Sequence, residues 1–380
     1  MAQSLEFSIV VPVHNESGNV ESLITEIHRA LDGRAFEMVF VDDASTDDTR
    51  ARLIELKSRF PMLRVVGHRK NAGQSRAIRS GILAARAPVI GTLDGDGQND
   101  PADLTVEQKL EFIARLEEAG VKRMESGSFV SPKAVPKMAD SAAVFAGLDR
   151  SKGTRHIALA LNEKGVRRAI DAKADEINFV LVASETFGKR NQGMTPQESA
   201  DALFQIAPLV FDAGIPLSAT ISVAFGDPFD GEVDVKLVSN LAAQAQRAGV
   251  GELALGDTIG VADPWAVRRA IERVRMEAPD VFLRMHFHDT RGAALANVAA
   301  AVDAGVDVID ASCGGIGGCP FAPAATGNVA TEDVVYMLER GGFETGLDLS
   351  KLIETAKWLE TVLGHPVASS LSKAGGFPTT

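Results

Sequence analysis

Two histidines separated by one residue, His286 and His288, are the strongest chemical signal in the chain. They close a predicted strand at Phe282–His288, and because side chains alternate faces along a strand, both imidazoles project to the same side. That spacing fits two ligands of one metal ion, whereas a single histidine would more often be a packed core residue. Asp289 and Thr290 follow directly and are placed to orient the imidazoles through hydrogen bonds.

The two cysteines of the chain, Cys313 and Cys319, flank the sequence GGIGG. A segment so rich in glycine favours mobility, so it suits a reactive thiol on a closing loop better than a rigid zinc finger. A zinc site formed with the two histidines is the weaker alternative, because the usual short ligand spacings are absent. For Cys313 the simpler interpretation is a small buried thiol.

Paired carboxylates form a second chemical group. Asp42 and Asp43 follow a short apolar run, and Asp94 and Asp96 flank a glycine. Two carboxylates around a glycine in an extended segment can bind one hard cation, which would neutralise a leaving diphosphate. A lone motif of this kind is more often a solvated acidic turn.

These residues must be carried by alternating strands and helices. Up to about residue 104, β-branched runs predict strands at Phe7–Val13, Met38–Val41, Leu63–Gly67 and Pro88–Leu93. Further strands are predicted at Lys122–Ser126, His156–Leu161, Ile177–Ala183, Ile215–Ala224, Gly251–Leu255, Phe282–His288 and Val306–Ala311. Helical stretches such as Pro196–Phe211 lie between them, so the pattern predicts an α/β protein with parallel sheets.

The second series supplies seven βα units, one fewer than a closed β/α barrel needs. The strand at 88–93 is its neighbour in sequence, and an unclosed barrel would leave a ladder edge exposed. We therefore predict that residues 88–93 form the first barrel strand, which divides the chain into residues 1–86 and 87–380. The competing outcome keeps residues 88–93 in the N-terminal sheet.

The composition excludes several classes of protein. The 380 residues include 39 Lys and Arg against 51 Asp and Glu, a net charge of −12, so we expect no nucleic-acid partner. Two cysteines cannot form a disulfide framework, which favours a reducing compartment. The apolar run Phe7–Val13 is too short to span a bilayer, so we expect no membrane segment and a cytoplasmic location.

Four segments after residue 105 together resemble one enzyme family. Glu125–Lys133, Leu255–Gly260, Met285–Gly292 and Gly314–Glu332 are similar to 3-hydroxy-3-methylglutaryl-CoA (HMG-CoA) lyase, in the same order. The resemblance implies a TIM (β/α)8 barrel that cleaves HMG-CoA to acetyl-CoA and acetoacetate. It also implies an acyl-CoA substrate and a divalent cation, Mg²⁺ or Mn²⁺. It permits a homodimer, although the surface pattern fixes no oligomeric state.

The same resemblance implies roles for individual residues. The implied metal ligands are Asp94, His286, His288 and Asn328, and the implied catalytic residues are Cys319, Asp257 and Glu125. The residues implied to lie near the acyl-CoA are Asn162, Ser184 and Asn191. For Glu125 and Asp257, the residues alone would fit solvated or helix-capping carboxylates equally well.

Four N-terminal segments resemble a different family. Val10–Glu16, Val41–Thr49, Asn71–Gly81 and Thr92–Leu104 are similar to family 2 glycosyltransferases related to dolichol-phosphate mannose synthase. This resemblance implies a partial Rossmann-like αβ segment of the GT-A type. It implies that Asp42 or Asp43 contacts the nucleotide, while Asp94 and Asp96 meet the diphosphate through a cation. The similarity stops before the part that supplies the acceptor site and the catalytic base.

The two resemblances meet at residues 91–99. The lyase family begins its barrel with a Gly-x-Arg-Asp-Gly sequence whose arginine stabilises the enolate oxygen, but here Leu93 precedes Asp94. We therefore expect a lyase whose metal ligands are largely present and whose activity is impaired. The alternatives are a nucleotide-sugar-binding glycosyltransferase remnant and a gene fusion without selected activity.

Overall fold

The computed structural model describes residues 5–31, 33–92, 104–131, 135, 138–317 and 327–378. The chain divides into two compact units, Met1–Gln98 and Asn99–Thr380. Each unit is built on one parallel sheet with helical connections. None of the described helices is both long enough and apolar enough to cross a membrane.

The N-terminal unit contains a four-stranded parallel sheet in the order β3-β2-β1-β4. Its elements are β1 (Phe7–Val13), α1 (Val20–Ala30), β2 (Phe36–Asp42), α2 (Thr49–Leu56), β3 (Leu63–Gly67), α3 (Gln74–Ala84) and β4 (Val89–Thr92). The central strand β2 is buried along its whole length, as its apolar sequence predicts. This strand order is that of a Rossmann-like sheet and confirms the predicted class of the segment.

The strand β4 pairs with β1, from Phe7 opposite Val89 to Val10 opposite Thr92. This pairing contradicts our prediction that residues 88–93 form the first barrel strand, and the observed division falls after Gln98 rather than after residue 86. The cause is local, because Ser8 Oγ on β1 accepts hydrogen bonds from the amides of Arg86 (3.2 Å) and Ala87 (3.0 Å). These bonds place the chain that enters β4 against the open edge of β1.

The C-terminal unit contains seven parallel strands that neighbour one another in chain order, from β5 to β11. The strands are β5 (Arg123–Ser128), β6 (Arg155–Ala160), β7 (Glu176–Val182), β8 (Leu217–Ser222), β9 (Glu252–Asp257), β10 (Phe282–Phe287) and β11 (Val308–Asp310). This consecutive order of βα units is that of a TIM barrel wall and confirms the predicted fold class. Within the described residues, β5 and β11 are the two ends of the sheet.

Helices connect these strands and form the outer layer. They are α4 (Val106–Glu118), α5 (Ser141–Gly147), α6 (Glu163–Asp171), α7 (Glu185–Asn191), α8 (Pro196–Asp212), α9 (Val235–Arg247), α10 (Pro264–Glu277), α11 (Ala294–Asp303), α12 (Thr331–Arg340), α13 (Leu349–Leu363) and α14 (Leu371–Ala374). The sequence Thr105-Val106-Glu107-Gln108 has the form of a capping box and predicts a helix start, and α4 begins there. The Thr105 side chain accepts from the Gln108 amide, and the Gln108 side chain accepts from the Thr105 amide.

The sheet of the C-terminal unit is strongly curled. The Arg123 guanidinium on β5 donates to both Glu252 carboxylate oxygens on β9, at 2.7 and 2.8 Å, although three strands lie between them. In a flat sheet these two strands would be about 19 Å apart, because neighbouring strands are spaced about 4.8 Å. Arg123 also binds the buried Glu176 on β7, so one guanidinium joins three strands across the concave face.

We predict that Arg123→Met lowers the free energy of unfolding of the C-terminal unit by about 3–5 kcal/mol, because Glu176 and Glu252 lose their shared cation. Urea denaturation of the full chain, followed by circular dichroism, measures the loss. Arg167→Met is the matched control, since its ion pair with Glu163 is exposed and should change the stability by less than about 1 kcal/mol. Equal effects of the two variants would contradict the role given to Arg123.

Candidate active site

The predicted site residues of the C-terminal unit gather at one edge of its sheet. Asp257 ends β9, His288 directly follows β10, and Asn162 and Ser184 come two residues after β6 and β7. The carboxyl ends of parallel strands meet at the same edge, which is where TIM barrels place their active sites. The spacing of residues along each strand therefore positions these side chains.

His286 and His288 lie side by side, with ring centroids 5.2 Å apart. Asn328, which is distant in sequence, reaches them through an antiparallel bridge with His288. His288 Nδ1 and Asn328 Oδ1 are buried, and neither has a hydrogen-bond partner in the described part of the chain. The Asn328 amide nitrogen donates to the Ile316 carbonyl at 2.9 Å, which leaves its oxygen as the free acceptor.

Unpartnered buried acceptors are rare in folded proteins because leaving them unpaired is costly. An imidazole nitrogen and an amide oxygen on two residues joined by a backbone bridge are suitable ligands for a divalent cation, so the residues present fit the implied metal. Within the described residues, no group of three or more His, Cys, Asp or Glu side chains has a metal-binding arrangement. Here the third side chain is an asparagine, and Asp94 lies outside the described residues.

Burial of the His288 imidazole, reinforced by the neighbouring His286, lowers the pKa of His288 to about 3. The ring is therefore neutral at physiological pH. A neutral imidazole is the protonation state that binds a metal, so the electrostatics of this position agree with the ligand role.

Glu125 projects from β5 into the curl of the sheet and accepts a hydrogen bond from Asn178 Nδ2 at 3.0 Å. Solvent reaches the side chain, but the surrounding protein removes part of its hydration and raises the pKa of its carboxyl group, partly offset by the Asn178 bond and by Arg284. A carboxyl group with a raised pKa is suited to exchange a proton near neutral pH. The structure thus distinguishes Glu125 from an ordinary capping carboxylate.

Asp257 is buried, and both of its oxygens accept backbone hydrogen bonds, from Val261 at 2.8 Å and Ala262 at 3.1 Å. Burial raises the pKa of this carboxyl group, while the two amides act in the opposite direction. Asp257 therefore anchors the loop that follows β9. Its participation in proton transfer stays a prediction.

The predicted acyl-CoA residues begin or end short helices. Asn162 accepts from the Gly165 amide at 3.0 Å and caps α6. Ser184 caps α7 by accepting from the Phe187 amide at 3.1 Å, and its hydroxyl donates to the buried Asp227. Asn191 is the last residue of α7. These contacts account for local structure, and contact with an acyl-CoA stays a prediction.

Several predicted residues fall outside the described part of the chain. They are Leu93, Asp94, Asp96 and Cys319. Cys313 is described and buried, and its thiol donates to the Leu352 carbonyl at 3.5 Å. Burial, reinforced by Glu332, raises the pKa of the Cys313 thiol well above its usual value, as expected for a structural thiol.

In the N-terminal unit, Asp42 and Asp43 lie at and just after the end of β2, as predicted. The Asp42 carboxylate accepts from the Ser45 amide at 3.0 Å. Asp43 is also buried, and its carboxylate accepts from His68 and from two backbone amides. Both carboxylates are therefore engaged in local structure, and a nucleotide-binding role stays a prediction.

A set of charged residues beside the histidines was not identified from the sequence. Arg284 is buried two residues before His286 on β10, with its guanidinium 3.2 Å from Glu252 and 3.3 Å from Asp310. Asp310 Oδ2 is 3.6 Å from His286 Nδ1. Burial would raise the pKa of Asp310, but Arg284 and His286 outweigh it and hold that pKa low. The period-two spacing of Arg284, His286 and His288 was the available signal.

Comparison with known proteins decides the family. The sequence model of the HMGL-like family matches residues 92–359. The chain belongs to the HMGL-like family. It is 39% identical over 280 residues to hydroxymethylglutaryl-CoA lyase of Bacillus subtilis, covering 74% of this chain and 93% of the relative. It is 40% identical to 3-hydroxy-3-isohexenylglutaryl-CoA/hydroxy-methylglutaryl-CoA lyase of Pseudomonas aeruginosa, covering 75% and 95%.

A solved HMG-CoA lyase of Acinetobacter baumannii, in complex with coenzyme A and 3-methylmalate, superposes with a TM-score of 0.70 at 38% identity. The match covers 74% of this chain and 94% of that structure. The glycosyl transferase family 2 model matches residues 8–140 and overlaps the start of the HMGL-like match. Both predicted resemblances are confirmed, and the HMGL-like part makes the chain a member of a family of carbon–carbon lyases.

Glu332, in the first turn of α12, binds the backbone of the turn Cys313–Gly315. Glu332 is fully buried, and its carboxylate accepts from the Gly314 amide at 3.0 and 3.1 Å. Burial raises the pKa of this carboxyl group, partly offset by Ser369 and by the backbone amides.

We predict that Glu332→Gln removes a pH-dependent loss of stability. Because the pKa of Glu332 is higher in the folded chain, its stabilising contribution is complete below the unfolded pKa of about 4.3 and is lost as the pH rises through the folded pKa. Relative to the wild type, the variant should therefore become more stable at pH 7 than at pH 4. Urea denaturation at both pH values measures this difference, and a difference independent of pH would contradict the assignment.

Proposed function

We propose that the C-terminal unit is a divalent-cation-dependent lyase that cleaves a carbon–carbon bond in HMG-CoA or a similar acyl-CoA. The observation that carries the proposal is the pair of unpartnered buried acceptors, His288 Nδ1 and Asn328 Oδ1, beside His286. The identities of the relatives, and the coenzyme A bound to one of them, support the substrate class.

In this proposal His286, His288 and Asn328 hold Mg²⁺ or Mn²⁺. The role of Asp94 as a further ligand is implied by the family resemblance and stays a prediction. A cation bound there supplies Lewis-acid polarisation of the substrate oxygens. The neutral His288 and the carbonyl oxygen of Asn328 need no deprotonation to serve as ligands. Asp310 lies 3.6 Å from His286 Nδ1 and is itself paired with Arg284, so His286 has a carboxylate neighbour that can orient its ring.

The reaction requires one proton to leave the substrate hydroxyl and another to reach the enolate carbon of the acetyl product. Glu125, whose pKa is raised, is suited to one of these transfers. Cys319 is placed by the family resemblance on the glycine-rich loop and would assist proton transfer when that loop closes. Asp257 fixes the loop after β9 and so preserves the shape of the site.

Leucine at position 93 removes the guanidinium that the family resemblance implies for the enolate oxygen. Loss of one preorganised oxyanion donor costs about 10²–10³ in rate, or about 3–4 kcal/mol. The proposed activity is therefore slow. A cytoplasmic location and a homodimer also stay predictions from composition and resemblance.

We predict that Leu93→Arg raises kcat for HMG-CoA cleavage by about 10²–10³, because it supplies the arginine that the family resemblance implies for the enolate oxygen. Acetoacetate formation in the presence of Mg²⁺ measures the rate. The control Ile54→Arg adds the same charge at an exposed position of the N-terminal unit and should leave the rate unchanged. Turnover of the unaltered chain at the rate of the Bacillus subtilis relative would overturn the impairment.

We predict that His288→Ala weakens Mn²⁺ binding by at least about tenfold, and that Asn328→Ala does so to a similar extent, because each removes a ligand. Isothermal titration calorimetry of the full chain with Mn²⁺ measures the dissociation constant. His365→Ala is the control, since this ring follows α13 and its Nδ1 bonds to the neighbouring Pro366 carbonyl. Unchanged affinity in both ligand variants would refute the metal site.

The match to glycosyl transferase family 2 favours a second function, the binding of a nucleotide sugar by Asp42, Asp43, Asp94 and Asp96. Calorimetry with a panel of nucleotide sugars and Mn²⁺ tests it separately from the lyase. Absence of binding across the panel would remove this function. Absence of both activities would favour a gene fusion without selected activity.

A further inference from the structure

Three side chains of the N-terminal unit form a continuous hydrogen-bonded chain, and neither family match assigns a reaction to that chain. Asp43 Oδ1 lies 2.6 Å from His68 Nδ1, and His68 Nε2 lies 2.8 Å from Ser80 Oγ. Asp43 follows β2, His68 follows β3, and Ser80 lies in α3. The order of carboxylate, imidazole and hydroxyl is the one that activates a serine nucleophile.

The carboxylate end of this chain is held rigidly. Asp43 also accepts from the Ala72 amide at 2.9 Å and from the Gly73 amide at 2.7 Å. Burial would raise the pKa of Asp43, but the bonds from His68 and the two amides keep it below its usual value. An ionised Asp43 requires a proton on His68 Nδ1, so His68 Nε2 is the acceptor for the Ser80 hydroxyl.

His68 and Ser80 line an open cavity of about 520 Å³. Four cationic residues also line it, namely Arg69, Lys70, Arg76 and Arg79. Within the described part of the chain, none of them forms an ion pair with a carboxylate. In a protein with a net charge of −12, this local excess of positive charge attracts anions.

The helix α3 brings one of these cations close to the hydroxyl. Arg76 lies four residues before Ser80, so the two share a face of the helix, and both line the cavity. A guanidinium in this position can stabilise the negative charge that develops on a carbonyl oxygen attacked by Ser80.

From this arrangement we propose that Ser80 is a nucleophile, with His68 as its general base and Asp43 as the positioning residue, that accepts acyl groups from anionic esters. Ser80 Oγ forms a bond to the acyl carbon as the bond to the leaving oxygen breaks. The Ser80 proton passes to His68 Nε2 and then to the leaving oxygen. Water then attacks the acyl group and returns a proton to Ser80 through His68, so the net reaction is ester hydrolysis.

The test uses the full chain and a fluorophosphonate probe, which transfers its phosphonyl group to an activated serine with loss of fluoride. Intact-mass measurement and peptide mapping should find a single adduct on Ser80, and Ser80→Ala should abolish it. Ser58→Ala is the matched control, since Ser58 is exposed and its hydroxyl donates to the Glu55 carbonyl three residues earlier. Ser80 should be labelled normally in this variant. His68→Gln should slow labelling by at least about 100-fold.

A second measurement tests the preference for anions. The chain should hydrolyse mono(4-nitrophenyl) succinate faster than 4-nitrophenyl acetate, and Arg79→Gln should reduce that ratio by about tenfold while circular dichroism shows an unchanged fold. Arg76→Gln should slow both esters, because it removes the stabilisation of the oxyanion. Absence of an adduct on Ser80, or labelling that is equal in Ser80→Ala, would overturn the proposal and leave the three residues as a structural hydrogen-bond chain. Failure of the lyase assay has no bearing on this outcome, because the residues lie in the other unit.

Discussion

The contact between Arg123 on β5 and Glu252 on β9 is the interaction on which the C-terminal unit depends. A side chain can bridge strands that are four places apart in the sheet order only if the sheet is curled. The same guanidinium also binds Glu176 on β7, which has only 3% of its side chain exposed. The curvature that a TIM barrel requires thus brings these charged side chains together on the concave face.

This charged layer continues to the candidate metal site. Glu252 also pairs with Arg284, Arg284 pairs with Asp310, and Asp310 approaches His286. On another side, Thr220 connects Arg284 with Asn178, which donates to Glu125. Glu125 and the histidines therefore lie on one polar network. Its buried members need these partners, because an isolated charge in this position would be strongly unfavourable.

The N-terminal unit shows how local bonds decide between two sheets. The strand at residues 89–92 is short, and its apolar sequence would suit either sheet. Ser8 holds the amides of Arg86 and Ala87, and Glu37 accepts from the Arg86 amide at 2.6 Å. Arg64 in turn binds Glu37 at 2.8 Å. This polar cluster places the chain beside β1, so that β4 pairs with the open edge of that strand.

Local patterns in the sequence determined the elements of this protein. The alternation of short strand-like runs with helical stretches predicted the eleven strands of the described residues to within a few positions. The capping box at Thr105 predicted the start of α4. The period-two spacing of His286 and His288 predicted that the rings share a face. These features succeed because strand periodicity and helix capping depend on neighbours in the chain.

The tertiary structure alone decided which elements meet. It paired β4 with β1, brought Asn328 to His288, and joined Arg123 to Glu252. A local pattern specifies which face a side chain occupies but not what lies opposite it, because opposing groups come from distant parts of the chain. For the same reason the sequence identified Asp43 as a candidate functional carboxylate, and only the fold showed that Asp43, His68 and Ser80 are joined by hydrogen bonds.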